Sequence, residues 1–245
     1  MYSGTPTIEV IMHVHTLGPV GTSSHGAALK LFPAENILLH PNFDQLFLAL
    51  TYAATDIGVV PIENSLFGSV DEVLDLLIQG PAKLWHTDDI EIHYAFGAQK
   101  PDNVLKVASH EQALRQCRKW LKIHYPQAEY FPVNSTAYAA ELAAKDSSIG
   151  AIANIERLIA KDLNIVAKDI EAAGNTTRFG IISISNPFPE NKRNQLTLVL
   201  RPTIEDRPGL LHDMLTPFKN LNINMSRIEN RPTGVKLGDY LFVIE

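Results

Sequence analysis

Along the chain the apolar positions switch repeatedly between alternation and a spacing of three or four, the marks of strand and helix. Ile8, Val10, Met12 and Val14 alternate with other residues and predict a short strand over 8–15. A loop of small residues at 17–24 leads into a helical stretch at 27–32, and 43–53 predicts a second helix. DIGVVP at 56–61 reads as a buried strand, followed by a polar turn of Glu63, Asn64 and Ser65. Ser69, with Glu72 three residues on, forms a capping box for a helix over 69–78. A strand-rich stretch at 90–97 closes this series.

A second series begins at once. Strands are predicted at 104–108, 129–133, 149–153 and 177–185. Between them lie a helix from a capping box at 109–112 to about 123, a helix at 137–145 opened by Asn134, Ser135 and Thr136, and a helix at 155–163. Strands alternating with helices predict a largely parallel sheet in each half. The proline-bearing polar segment 186–194 reads as a linker. Beyond it come strand 196–201, helix 209–221, strand 223–229, a turn at 232–238 and strand 239–244. This β-α-β-β order opens a ferredoxin-like unit and stops before its second helix and last strand.

Composition narrows the choice of function. With 245 residues, 45% apolar and 20% charged, the chain has an ordinary globular balance and core enough to fold without staples. A net charge of −6 argues against a nucleic-acid-binding face. It also means that an anionic ligand must be drawn in locally, by a few cations and helix N-termini. The single cysteine, Cys117, excludes an intramolecular disulfide and a thiolate cluster and reads as a helix-packed thiol. The start of the sequence lacks a signal-peptide pattern, and no segment reaches the roughly 20 apolar residues of a membrane span. A cytoplasmic protein with no membrane partner is expected.

Three joints between a strand end and a helix start carry small hydroxyl residues: 21–24, 63–69 and 134–136. Helix N-termini present unpaired N–H groups and partial positive charge, so each is a candidate carboxylate cradle; the plainer alternative is that Ser and Thr only cap helices. Arg178, beside Thr176 and Thr177, adds a fixed cation suited to a carboxylate. His13 and His15 share one strand face, but with no third ligand nearby a metal site is not expected. His110 reads as a helix cap, and Trp85 and Trp120 as core or interface aromatics.

Six of these runs resemble a known family. LGPVGTSSHGAALKLF (17–32) resembles the N-terminal signature of prephenate dehydratases, and GVVPIENSLFGSVDEVLDLL (58–77) their second motif. SHEQALRQC (109–117), NSTAYAAELAA (134–144), GAIANIERLIAKDLNIV (150–166) and NTTRF (175–179) follow in the family's order, so the resemblance spans about 14–185. In the tail, RPGLLHDMLTPF (207–218) and IENRPTG (228–234) resemble the two phenylalanine-site motifs of the ACT regulatory domain.

The resemblance implies an α/β fold: a catalytic domain over 1–190 with two lobes like those of periplasmic binding proteins. Lobe one would cover about 1–95 and 172–190, lobe two about 96–171, with the active site between them. Residues 194–245 would form an incomplete, ferredoxin-like α+β ACT domain. The implied reaction converts prephenate to phenylpyruvate in phenylalanine biosynthesis, with no cofactor and no metal. Thr177 would assist departure of the ring hydroxyl; because a threonine hydroxyl is a poor acid, its role is that of hydrogen-bond donor or relay link. Glu63 would be the stronger acid if burial raised its pKa, its alternative being capping or pairing at the turn. Thr22, Ser24, Asn64, Ser65, Ser135 and Thr136 would bind the carboxylates and pyruvyl oxygen, with Asn175, Arg178 and Phe179 alongside. Arg178 has the alternative of bracing the lobe junction. A phenylalanine effector would meet Gly209, Leu210, Leu211, Glu229, Arg231 and Pro232.

Two departures from the family pattern bear on this reading. Gly-Thr-Ser-Ser at 21–24 replaces the usual Gly-Thr-Phe-Ser and also occurs in relatives that decarboxylate prephenate without aromatising it. Those relatives lack the PIENS and TRF signatures, intact here at 61–65 and 177–179, so dehydration ranks first. Asn230 stands where the tail motif usually has serine, which bears on control by phenylalanine. Arogenate dehydratase and a non-catalytic aromatic-acid sensor are the other readings. Open sheet edges and apolar faces predict a homodimer or homotetramer.

Overall fold

The computed structural model describes residues 12–33, 36–188 and 195–245; the start of the strand expected at 8–15 and most of the expected linker fall outside them. The chain divides into two compact units, 1–187 and 188–245.

The first unit holds two sheets. The opening series is β1 (Val14–Leu17), α1 (Ser23–Leu31), β2 (Ile37–His40), α2 (Phe43–Tyr52), β3 (Ile57–Asn64), β4 (Gly68–Ser69), α3 (Asp71–Gln79) and β5 (Lys83–Glu91). The chain then crosses through 92–94 into a second lobe. This comprises β6 (Ala95–Ala98), β7 (Lys106–Ser109), α4 (Glu111–Gln116), α5 (Arg118–His124), β8 (Glu129–Pro132), α6 (Thr136–Ala143), β9 (Ile149–Ala153), α7 (Ile155–Ile159) and β10 (Asn164–Ala167). It returns through 168–175 to β11 (Thr176–Ser183), which inserts between β3 and β5 in the order β2-β1-β3-β11-β5. The second sheet runs β10-β6-β9-β7-β8.

Neither sheet is largely parallel, which corrects the expectation from the sequence. β1 runs parallel to β2 and β3, but β11 is antiparallel to both its neighbours. Likewise β7 is parallel to β8 and β9, while β6 is antiparallel to β9 and β10. The βα repeats make the parallel part, and the strands attached to the two crossings run against it. The segment read as one strand at 90–97 is the end of β5, the crossing and β6, in two different sheets. β2 and β10 were not legible as strands.

Local differences have local causes. α1 starts at Ser23, four residues early, because Thr22 caps it by accepting from the His25 N–H at 3.2 Å. Ser69 does not cap α3: it lies in β4, folded back on β3 through Gly68 at φ 76°, and the cap position is Val70, with no side-chain cap bond. Glu63 and Asn64 therefore end a strand, and the turn follows them. The helix expected from 109 to 123 is two helices broken at Cys117. Its capping residue is His110, while Ser109 is buried in β7 with its hydroxyl donating to Ile152 O at 2.7 Å.

Packing holds each lobe tightly to its sheet. Ala137, Ala139, Ala140 and Ala143 put the backbone of α6 close to the second sheet. On the other face of that sheet Phe96 packs with Trp120 and Tyr125, and its ring fills the space above Gly150. In the first lobe α2 and α3 cover Val60, Ile62 and Ile182 with Phe43, Leu46, Leu50 and Val73. Trp85, on β5, donates to Ser183 O at 2.9 Å.

The second unit is β12 (Leu198–Leu200), α8 (Leu210–Asn220), β13 (Ile228–Pro232) and β14 (Tyr240–Ile244), with an antiparallel sheet ordered β12-β14-β13. Among the described residues no helix is long and apolar enough to cross a membrane.

Candidate active site

The last residues of β3 lie against the first of β11, with Asn64 opposite Thr177 and Glu63 opposite Arg178. Residues directly opposite share a sheet face, and successive residues alternate. Thr177 and Asn64 therefore face one side. Arg178 and Glu63 face the other, where Asp89 of β5 joins them.

On the Thr177 side, four polar residues are buried together: Asn64, Asn175, Thr177 and Gln116 of α4. Asn64 Nδ2 donates to Thr177 Oγ1 at 2.9 Å and to Asn175 Oδ1 at 3.1 Å, while Asn64 Oδ1 accepts from the Leu66 N–H at 3.0 Å. Asn175 and Gln116 exchange a pair of amide bonds, at 2.9 Å and 3.0 Å. The remaining Asn175 N–H donates to Ile92 O at 3.0 Å, on the other crossing. A buried amide must spend its donors and acceptors, and here each partner fixes the next. Thr177 Oγ1 accepts from Asn64, and among the described residues its own hydrogen has no acceptor. That O–H is available to a ligand.

Ser65 braces the site. Its hydroxyl donates to Gly174 O at 2.6 Å and accepts from the Thr176 N–H at 3.0 Å. Phe179 is buried in β11.

Arg178 and Glu63 do not join this cluster. Arg178 donates through Nε to Asp89 at 3.0 Å and through NH1 to Glu63 at 3.4 Å, on the face opposite Thr177. Strand alternation turns Glu63, expected as an acid, and Arg178, expected as a cation for the substrate, to the sheet face away from Thr177. Both lie in an ion-pair group within the first sheet, with Asp89 as the third member.

Of the other expected cradles, the one at 21–24 touches the second lobe. Thr22 uses its hydroxyl fully, donating to Leu17 O at 3.0 Å while capping α1. Ser24 is buried, in the first turn of α1. The loop before them is held from lobe two: Asn154 donates to Gly21 O at 3.2 Å, and the methylenes of Arg157 pack over Gly21. His25 Nδ1 accepts from the Gly21 N–H at 3.2 Å, and burial pulls its pKa below the ordinary value of 6.5. Ser135 caps α6, accepting from the Tyr138 N–H at 3.0 Å, and Thr136 is that helix's first residue. The joint at 63–69 is no helix start, so only two of the three expected cradles exist as such.

Two groups were missed or are inert. Gln116 escaped notice because a helical glutamine usually faces water; the signal was its place in line with Ala113 and Trp120 on an otherwise apolar stripe. Cys117 is a buried thiol whose pKa is pushed well up by burial and by Glu171. His13 and buried His15 both meet Asp56 Oδ2, at 3.5 Å and 3.1 Å, and His15 also meets His40 Nε2 at 2.7 Å.

In the tail, Gly209 at φ 85° sits before α8, Leu210 is buried and Leu211 more exposed. Glu229 pairs with Arg227 at 2.7 Å, and Arg231 and Pro232 end β13.

Two α/β lobes joined by two crossings, with a buried amide-hydroxyl cluster at the crossings, define the first unit as a two-lobed α/β protein. Its relatives make the class specific. The family described as prephenate dehydratase matches residues 14–187. The bifunctional chorismate mutase/prephenate dehydratase of Pseudomonas aeruginosa is 34% identical over 244 residues, 97% of this chain and 66% of the relative, so the chain spans just under two thirds of that protein. The prephenate dehydratase of Bacillus subtilis is 34% identical over 251 residues, 96% of this chain and 88% of the relative. A solved prephenate dehydratase from Arthrobacter aurescens, in complex with L-Phe, superposes with a TM-score of 0.78 at 31% identity, covering 96% of this chain and 79% of that one. This chain belongs to the prephenate dehydratase family.

Proposed function

We propose that the chain converts prephenate to phenylpyruvate and that Thr177 donates to the departing ring hydroxyl. In this reaction the bond to the ring carboxylate breaks and leaves CO2. Its electron pair completes the aromatic ring and expels the hydroxyl from the opposite carbon, and one proton is taken up to release water. The site needs to align the dianion and hydrogen-bond the leaving oxygen. The observation that carries this reading is the Thr177 hydroxyl, buried, accepting from Asn64 and left with a free hydrogen. A donor into Oγ polarises the O–H and makes it a better donor in turn. Such assistance is worth roughly 10²–10⁴-fold. The first turns of α1 and α6 supply N–H groups for the carboxylates.

Residues 194–245 are proposed to be an ACT domain that senses phenylalanine through Gly209, Leu210, Leu211, Glu229, Arg231 and Pro232. The β-α-β-β order, the antiparallel β12-β14-β13 sheet and the L-Phe complex of the Arthrobacter relative support this. The exposed edges of β12 and β13 support a homodimer or homotetramer.

The test is to incubate purified protein with prephenate, follow ultraviolet absorbance and identify the product by mass. Phenylpyruvate is expected. A product that has lost CO2 but kept the ring hydroxyl assigns decarboxylation instead. No turnover of prephenate, with turnover of arogenate, assigns that substrate.

A further inference from the structure

Prephenate carries two carboxylates and the chain carries a net charge of −6, so a cation must meet the substrate locally. Three arginines stand near the Thr177 cluster or touch the opposite lobe. Arg178 is committed to Asp89 and Glu63 on the far sheet face. Arg157 is committed to Glu141. Arg115 is different: among the described residues it makes no ion pair, and its guanidinium lies over the ring of Phe67, 5.2 Å from the centroid.

That contact reaches across the lobes, from α4 to the turn after β3. Both ends are tied to the buried cluster. The Phe67 N–H donates to Asn64 O at 3.2 Å, closing the turn that starts at the residue holding Thr177. Gln116, the residue after Arg115, holds Asn175. The arginine therefore stands at the rim of the Thr177 site, on the opposite wall. A guanidinium resting on an aromatic face is held by its π surface, and its N–H donors, which lie in its own plane, remain free for a bidentate carboxylate.

We propose that Arg115 binds a carboxylate of the substrate and that Phe67 holds it in place across the cleft. This rests on prephenate being the substrate. Binding the dianion then draws the two walls together, because the cation belongs to lobe two and the Thr177 hydroxyl to lobe one.

The experiment compares wild type, Arg115→Gln, Arg115→Lys and Phe67→Leu by calorimetric titration with prephenate and by steady-state kinetics, with melting temperatures alongside. For Arg115→Gln, Kd and KM rise about tenfold or more, kcat stays within about threefold, and the melting temperature is unchanged. Lysine restores part of the affinity, and Phe67→Leu loses a smaller factor, about threefold. Kd for Arg115→Gln within about twofold of wild type overturns the proposal. So does a fall in kcat together with the melting temperature, which marks a structural arginine. Wild type that binds prephenate without making phenylpyruvate sinks the dehydratase reading but leaves the Arg115 comparison legible in the titration. Wild type that does not bind prephenate overturns both.

Discussion

Asn64 gives an amide hydrogen to the hydroxyl oxygen of Thr177 at 2.9 Å, across strands whose register sets the two residues opposite each other. The bond takes one lone pair of the threonine oxygen, and among the described residues nothing accepts its hydrogen. Thr177→Ala is expected to lower kcat about 10²–10⁴-fold with the fold intact, and Thr177→Ser to retain most of the activity. Asn64→Asp makes a sharper test. A carboxylate there accepts from Thr177 and turns the O–H inward, so kcat falls as in the alanine variant although Thr177 is still present. Wild-type kcat in both Thr177→Ala and Asn64→Asp removes the hydroxyl from the mechanism.

The Asn175–Gln116 amide pair fastens the returning crossing to lobe two. Gln116→Leu leaves one buried N–H of Asn175 without an acceptor, while its Oδ1 keeps the bond from Asn64, at a cost of about 1–3 kcal/mol in urea unfolding. An unchanged midpoint would show that water replaces the lost bonds.

His25 gives the site a pH dependence whose sign follows from its lowered pKa. The folded state favours neutral imidazole, because burial penalises the charge and Nδ1 must accept from Gly21. The unfolded chain takes up the proton first, near 6.5, so stability present above that pH is lost as pH falls through it toward the folded pKa. His40, lowered by burial and by His15, acts with the same sign. The expected result is a melting temperature that falls from about pH 7.5 to about 5.5. His25→Asn, which can accept from Gly21 without titrating, removes the His25 share of the slope in melting temperature. An identical profile in that variant assigns the dependence elsewhere.

Two glycines make opposite predictions. A Cβ on Gly150 would meet Phe96 Cζ at 2.3 Å, so Gly150→Ala overpacks the second lobe and costs about 1–3 kcal/mol or more. Gly26, in α1, has nothing within 4 Å of its Cβ position, and Gly26→Ala stabilises by up to about 1 kcal/mol. Chemical denaturation of the two variants checks both signs.

The elements were legible in proportion to how far local pattern dictates them. α2, β9 and the β-α-β-β order of the tail announced themselves by apolar spacing. What local pattern does not carry is which sheet a strand joins. Residues 90–97 are strand-like throughout, yet the chain leaves one sheet and enters another at 92–94. At the site, the hydroxyl and amide residues stood out as types. Their grouping did not: Glu63 and Asn64 are neighbours in sequence and face opposite ways, and Gln116 lies outside the polar turns where binding residues were sought. Register and alternation make that division, and both depend on β11 arriving from far along the chain.

The place of β11 between β3 and β5 also has a consequence for how the molecule comes into being. A ribosome delivers β1 to β5 first, then the whole of the second lobe, and only afterwards the strand that fills the slot between β3 and β5. Until then β3 and β5 each offer an open edge, and the nascent first lobe has a gap before its last strand. The second lobe is contiguous and can close while the first still waits. The inserted lobe has all its strands before the older half does, and Thr177 meets Asn64 only once β11 pairs with β3.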